Sequence, residues 1–363
     1  MKSDKTTPNV PTLRFPEFAG EWQDTTLGNV CVYRKTRRTA EKKNYISTEN
    51  ILQNYQGVER FTSNESISGD GFNKNDILMG NIRPYLKKVY YADFDGVCNA
   101  DVLVFKSNFI NPHFLYCRLA NDTFINYVMK SVKGSKMPRG DKSHIMQYPL
   151  SIPGEAEQSK ISNFIELLTS RIQVQNKIIS KYETLIKGLC DMIFRHNKSV
   201  SLSDLVKCKT SALQENTVST CHRGEYKVLG ASGAIAAIDT YQFEESGVLV
   251  LKDGSKAGKI QFAQGKYSVI GTSVVLIPNE ACDARYLYFA MSSIDFEKYK
   301  VGSGIPHIYF KDYSNERIYY PEKALRKKII KTLDFYETRV EIEREMLSAM
   351  QKQKAFLLQS MFI

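Results

Sequence analysis

The chain is poor in the features that mark several large classes of protein. No stretch of its 363 residues approaches the ~18 to 20 consecutive apolar positions that a membrane-spanning helix requires. This argues against a membrane protein. The first residues, MKSDKTTPNVP, lack the charged start and apolar core of a secretion signal, so a cytoplasmic location is expected. The 7 cysteines are odd in number, scattered, and never spaced C-x-x-C, which reads as buried or idle thiols and not as disulfides or zinc ligands. Only 5 histidines are present, too dispersed to suggest a metal site or a nucleophile and base pair. Cys221 and His222 are adjacent, which on an extended chain usually points side chains apart, and are expected to be fortuitous neighbours.

Enzyme signatures fail in the same way. No Pro-Pro pair occurs, so the Asn/Asp-Pro-Pro-aromatic loop of an amino-methylating enzyme is missing. Gly254 to Lys259 looks like a phosphate loop but is one residue short, and Ile260 replaces the metal-binding Ser or Thr. Nuclease-like E-x-K triplets at Glu41 to Lys43 and Glu225 to Lys227 are common by chance and read as solvated charges.

The chain does carry an excess of positive charge, 50 Lys and Arg against 39 acids, a net +11 that favours a polyanion such as nucleic acid. With 42% apolar residues there is enough to bury cores in two or three domains. It also carries an internal repeat. At an offset of 168, Val132 to Phe194 lies over Lys300 to Phe362 without a gap, matching Gly134 with Gly302, Pro138 with Pro306 and Phe194 with Phe362. Upstream the offset drifts to 171 and 172, pairing Ile77 with Val248 and Leu115 with Leu287, as loops of unequal length would cause. Two copies of one unit therefore fill the chain.

Each copy opens with short β-branched or aromatic runs between Gly and Asn, which predict strands. In the first copy these are Ile77 to Met79, Val89 to Tyr91 and Val102 to Phe105. In the second they are Val248 to Leu251, Ile260 to Ala263 and Ser273 to Ile277. After Pro153 and Pro321 the period changes. Ile161, Ile165, Leu168, Ile172, Gln175, Ile179, Tyr182, Ile186, Leu189 and Ile193 step by four and three, the seam of a coiled coil. Its counterpart is Ile329, Leu333, Tyr336, Val340, Glu343, Leu347, Met350, Lys354, Leu357 and Met361. Gln175 and Glu343 hold the same repeat position near mid-seam. In an antiparallel pair they either face each other and fix the register or lie exposed where the helices splay. The only Gly or Pro along either seam is Gly188, so each helix can run ~40 residues, or ~60 Å, as a rigid spacer.

The expected architecture is α+β: two similar strand-rich domains joined by two long antiparallel coiled-coil helices with pseudo-two-fold symmetry. The expected segments are 1–152, a first strand-rich domain; 153–197, a long helix; 198–320, a second strand-rich domain; and 321–363, a second long helix. Such geometry suits double-stranded DNA, itself approximately two-fold.

Three stretches are candidate DNA contacts. Between Cys31 and Lys43, six cations (Arg34, Lys35, Arg37, Arg38, Lys42, Lys43) stand against Glu41 alone, a net +5 that can clamp phosphates, or else a solvated loop. The loop Asn81 to Lys88 offers Asn81, Arg83, Tyr85 and Lys87 between two strands, a mixture that can read bases as well as grip the backbone. Its counterpart offers Lys252, Ser255, Lys256 and Lys259. A third loop recurs as Gly134 to Arg139, with Ser135, Lys136 and Arg139, and as Gly302 to His307, with Ser303 and His307. Its glycines permit close approach to a phosphate, although a purely structural turn is the competing view. Lys142, Tyr309 and Lys311 lie just beyond.

The repeat, loops and paired helices together resemble the specificity subunits of type I restriction-modification systems. The carriers are Trp22 to Val30 (WQDTTLGNV), Asp76 to Gly80 (DILMG), Gly134 to Pro138, Pro153 to Gln158 (PGEAEQ) and their second-copy counterparts. Leu325-Arg326 departs from the family pair matched by Glu157-Gln158, which leaves the first turn of that helix open. The resemblance implies two target-recognition domains, each reading one part of a bipartite DNA target. It implies no catalytic residue, metal or cofactor on this chain. Its implied partners are two methyltransferase subunits, which carry S-adenosylmethionine and dock on the helices, and restriction subunits that translocate and cut. The rival expectation is a stand-alone methyltransferase or nuclease with an unrecognised motif.

Overall fold

The computed structural model describes residues 9–195, 199–218, 224–279, 283–302 and 304–363. It forms two compact units, one of Met1–Val174 with Leu347–Ile363, the other Gln175–Met346. The expected boundaries at 153 and 321 fall just before the long helices, Glu155–Phe194 and Lys323–Ser360. The compact units instead divide each helix, because the two ends of a helix pack into different cores.

The centre of the first unit is a four-stranded antiparallel sheet in the order Cys31–Tyr33, Val102–Ser107, Ile77–Gly80, Val89–Tyr91. The second unit repeats it as Val206–Thr210, Ser273–Pro278, Gly247–Leu251, Ile260–Ala263. The register repeats too: Ile77 faces Phe105 and Leu78 faces Val104, while Val248 faces Leu276 and Leu249 faces Val275.

The two inner strands of each sheet read as apolar runs because both their faces are covered. Alternation sends Ile77, Met79, Leu103 and Phe105 into a core shared with the helices, and Leu78, Val102 and Val104 into a separate core beneath an outer sheet. In the second unit Val248, Val250, Val274 and Leu276 go one way, and Leu249, Val275 and Ile277 the other. Each such side chain stabilises the unit by ~1.5 to 3 kcal/mol. The outer sheets have diverged. In the first unit the outer sheet has four strands (Arg37–Glu41, Ser66–Phe72, Gly96–Cys98, Tyr45–Ile46); in the second it has three (Gly233–Ile238, Tyr226–Gly230, Tyr267–Val269).

The helices pair antiparallel within each unit. In the second, the Gln175 amide donates to the Glu343 carbonyl at 3.1 Å and to its carboxylate, and both side chains are buried. Seven residues along one helix and seven back along the other, the Tyr182 and Tyr336 rings meet at 6.4 Å. Arg339, itself exposed, caps the pair from the solvent side, 2.7 Å from the Glu343 carboxylate. Of the two arrangements open for this pair, the facing one is found. Ile179, Leu333 and Val340 are buried along the same seam, and Tyr182 and Tyr336 are half-buried. In the first unit Ile161 and Ile165 are buried in one cluster with Leu357, Met361 and Phe362, and Leu168 packs against it. Ile172, Leu347 and Met350 are half-buried.

Both helix starts are closed by the same bond. Gln158 donates to the Pro153 carbonyl at 2.8 Å, and Arg326, at the matching place, donates to the Pro321 carbonyl at 2.5 Å. The departure at Leu325-Arg326 therefore preserves the function of the position. Among the described residues no helix is long and apolar enough to cross a membrane. Cys31, Cys98, Cys117 and Cys190 are buried free thiols, and burial pushes the first three up to about 12.

Candidate nucleic-acid interface

Two loops that are remote in sequence join in each unit. In the first, the segment after strand Ile77–Gly80 turns through a short 3-10 helix, Pro84–Leu86, flanked by Arg83 and Lys87 in the left-handed region (φ 51° and 55°). Such backbone persists in non-glycine residues only when the surroundings impose it. The Tyr55 amide donates to the Lys87 carbonyl at 3.1 Å, and the Gly134 to Arg139 loop holds Arg83. The Arg83 amide donates to the Pro138 carbonyl at 2.8 Å, Ile82 bridges to Arg139, and Lys133 and Arg139 exchange backbone bonds at 2.9 Å. The second unit repeats the junction: Gly254 donates to the Pro306 carbonyl at 2.9 Å, Asp253 bridges to His307, and Val301 and His307 exchange bonds at 2.9 and 2.8 Å.

The candidate cations divide into pinned and free. Lys87 reaches Asp122 at 2.8 Å, Arg139 reaches Asp101 at 3.2 Å, and His307 lies 2.8 Å from Asp253. These pairs tie the loops to the body and to each other. Lys133 holds the Asp141 carboxyl down to about 2 through a hydrogen bond, helped by the His144 and Ser143 amides. Among the described residues, no acid pairs with Lys35, Arg37, Arg83, Lys136, Lys142, Lys252, Lys256, Lys259 or Lys311. Of these, all but the half-buried Lys252 are exposed, as are Ser135, Ser255, Tyr85 and Tyr309. Lys256 donates to the Ser232 hydroxyl at 3.1 Å, and Lys311 lies over the Tyr309 ring.

Three expectations need correction. Arg34 is no free phosphate clamp: it grips buried Asp76 through two nitrogens, at 2.6 and 3.2 Å, and the Asn73 amide donates to the same carboxylate. Of the basic run, Arg37 and Arg38 lie on an edge strand, Arg37–Glu41, and Lys42 and Lys43 in the 3-10 turn Lys42–Asn44 that follows. Arg38 is tied to Asn73 at 2.7 Å. Asn81 cannot display its amide to a base. It is 6% exposed, and a Cβ on the neighbouring Gly140 would stand 2.9 Å from its Oδ1, while its backbone amide donates to the Asp101 carbonyl at 2.8 Å. Ser303, Cys221 and His222 lie outside the described residues.

The pinning acids Asp76, Asp101 and Asp122 were missed from sequence because each lies tens of residues from its cation. Asp253 lies further still, 54 residues from His307. Gly254 to Lys259 runs into strand Ile260–Ala263, where a phosphate loop would open a helix. Among the described residues no cluster of three metal-ligating side chains exists.

The fold and loops thus define a duplicated, non-identical pair of cationic loop carriers on long helices. The chain belongs to the type I restriction modification DNA specificity domain family, whose model matches residues 19–184 and again 195–351. A 128-residue stretch is 29% identical to the type I restriction enzyme EcoDI specificity subunit of Escherichia coli, covering 34% of this chain. A 122-residue stretch is 26% identical to the MjaVIII specificity subunit of Methanocaldococcus jannaschii, covering 32% of this chain. The matched stretches span only 29% and 28% of those relatives' own lengths. The fold is similar to that of the type I restriction-modification S subunit from M. genitalium, with TM-score 0.62 and 14% identity over 98% of this chain and 99% of that one. A second solved chain, from a study of assembly and conformational transition in the type I system, gives TM-score 0.56 and 16% identity over 93% and 96%.

Proposed function

We propose that this chain is the DNA sequence-recognition subunit of a type I restriction-modification complex, each unit reading one part of a bipartite target. The observation that carries the reading is the repeated junction of two loops, which presents cations that no acid among the described residues pairs with, all but the half-buried Lys252 exposed, on a backbone fixed from both sides. Arg83 and Lys136 in one unit, and Lys252, Lys256 and Lys259 in the other, bind phosphates first. Phosphate contacts set register, and neighbouring side chains then read base edges. Catalysis belongs to partners: methyltransferase subunits that carry S-adenosylmethionine, and restriction subunits that translocate and cut.

Two methyltransferase subunits dock on the long helices. In support, each helix leaves an apolar pair exposed at matching repeat positions: Leu167 and Val174 (70% and 54%) on the first, Phe335 and Ile342 (67% and 44%) on the second. A duplicated stripe suits two copies of one partner.

Long-read methylation mapping in a clean host expressing this chain with its neighbouring methyltransferase tests the reading. A gapped motif with adenine marked on both strands is expected. An unmarked genome contradicts it, and methyl transfer by this chain alone supports the stand-alone enzyme instead.

A further inference from the structure

At each loop junction, among the cations, packing leaves an unbranched or branched aliphatic side chain outside at one matching repeat position, beside the exposed Tyr85 in the first unit and Val301 and Tyr309 in the second. In the first unit it is Met137, 48% exposed; in the second it is Ile305, 63% exposed. The two hold the same repeat position, each directly before the proline whose carbonyl receives the facing loop's amide. Their backbone is fixed. Gly134 and Gly302 turn at φ +90° and +96°, and a Cβ at Gly302 would stand 2.8 Å from the Ile305 carbonyl oxygen.

An apolar side chain held rigidly in water gains by being covered, and the surrounding charge selects what covers it. Lys136 and Arg83 stand beside Met137, and Lys252 and Lys256 lie on the loop facing Ile305. A cationic rim with an apolar centre matches a polyanion whose interior surface is apolar. Duplex DNA presents such a surface in the major groove at the thymine methyl.

We propose that Met137 and Ile305 are specificity contacts, one for each half-site, each packing against the 5-methyl group of a thymine. The inference rests on the DNA-reading function above. Cations bring the loop to the backbone, and the apolar tip then distinguishes thymine from the other bases.

The test uses the full chain assembled with its methyltransferase on the mapped target, replacing each thymine in turn by uracil, which keeps the pairing and removes the methyl. One replacement in the first half-site is expected to weaken wild-type binding about three- to tenfold. Met137→Ala should weaken the unmodified target by a similar factor and show no further loss on that uracil duplex. Ile305→Ala should behave likewise with one thymine of the second half-site. Both sites are exposed, so thermal unfolding of the variants should match wild type and exclude a folding defect. If every uracil is tolerated, or the alanine and uracil losses multiply, or Met137→Ala weakens all sequences alike, the proposal is overturned while DNA reading survives. A wild-type complex with no sequence preference overturns both.

Discussion

The two units share a framework and differ at its edges. Strand order and register of the central sheet coincide, and so do the junction of the two loops and the bond that closes each long helix. The outer sheet, the loop chemistry and the pins differ: Arg83, Tyr85 and Lys87 against Lys252, Ser255 and Lys256, and Arg139 with Asp101 against His307 with Asp253. The shared central sheet is packed on two faces, where a changed volume is felt at once. Of the divergent parts, the loops face water, where substitutions are nearly neutral for folding and are therefore available to function.

This contrast can be tested in descending order of effect. Leu333→Ala, at a fully buried seam position of the second unit, is expected to cost ~2 to 5 kcal/mol in chemical denaturation. A cost under ~0.5 kcal/mol, as for surface sites, would break the distinction between framework and edge. At mid-seam, Gln175→Ala leaves the buried Glu343 carboxylate short of a donor and should cost ~1 to 3 kcal/mol. Replacing both residues by Leu should recover most of that loss, since apolar pairs commonly substitute for buried polar ones. Failure to recover would mean that the pair supports more than its own contact.

At the edges, Arg83→Ala and Lys256→Ala should leave unfolding unchanged. Each should lower the slope of log affinity against log salt by ~0.9, the share of one phosphate contact. A slope change from only one of them would show that the two halves grip DNA unequally. The smallest effect concerns Asp141, whose carboxyl is held down to about 2 by Lys133. A depressed carboxyl stabilises its surroundings above its unfolded pKa, near ~3.9, and loses that contribution as pH falls towards 2. NMR titration of the Asp141 carboxyl should give a midpoint near 2, moving up towards ~3.9 in Lys133→Ala.

Much of the framework was legible in the sequence because its signals are periodic. The offset of 168, the four-and-three stepping of Ile161 to Ile193, and the apolar strand runs each repeat a local rule. The loops were legible as candidates and not as roles. Arg34 looks like its neighbours in sequence, yet Asp76, brought across the fold, immobilises it. Asn81 sits in a loop that looks exposed, yet the chain around Gly140 closes over it.

The sequence by itself determined the duplication, the paired helices and the cationic surplus, since periodicity, offset and composition are properties of a string. The tertiary structure alone decided which cations are pinned and which are free, that Gln175 and Glu343 meet, and that two distant loops fuse into one junction per unit. Those outcomes depend on which atoms lie within a few ångströms of each other, and long-range packing sets such distances.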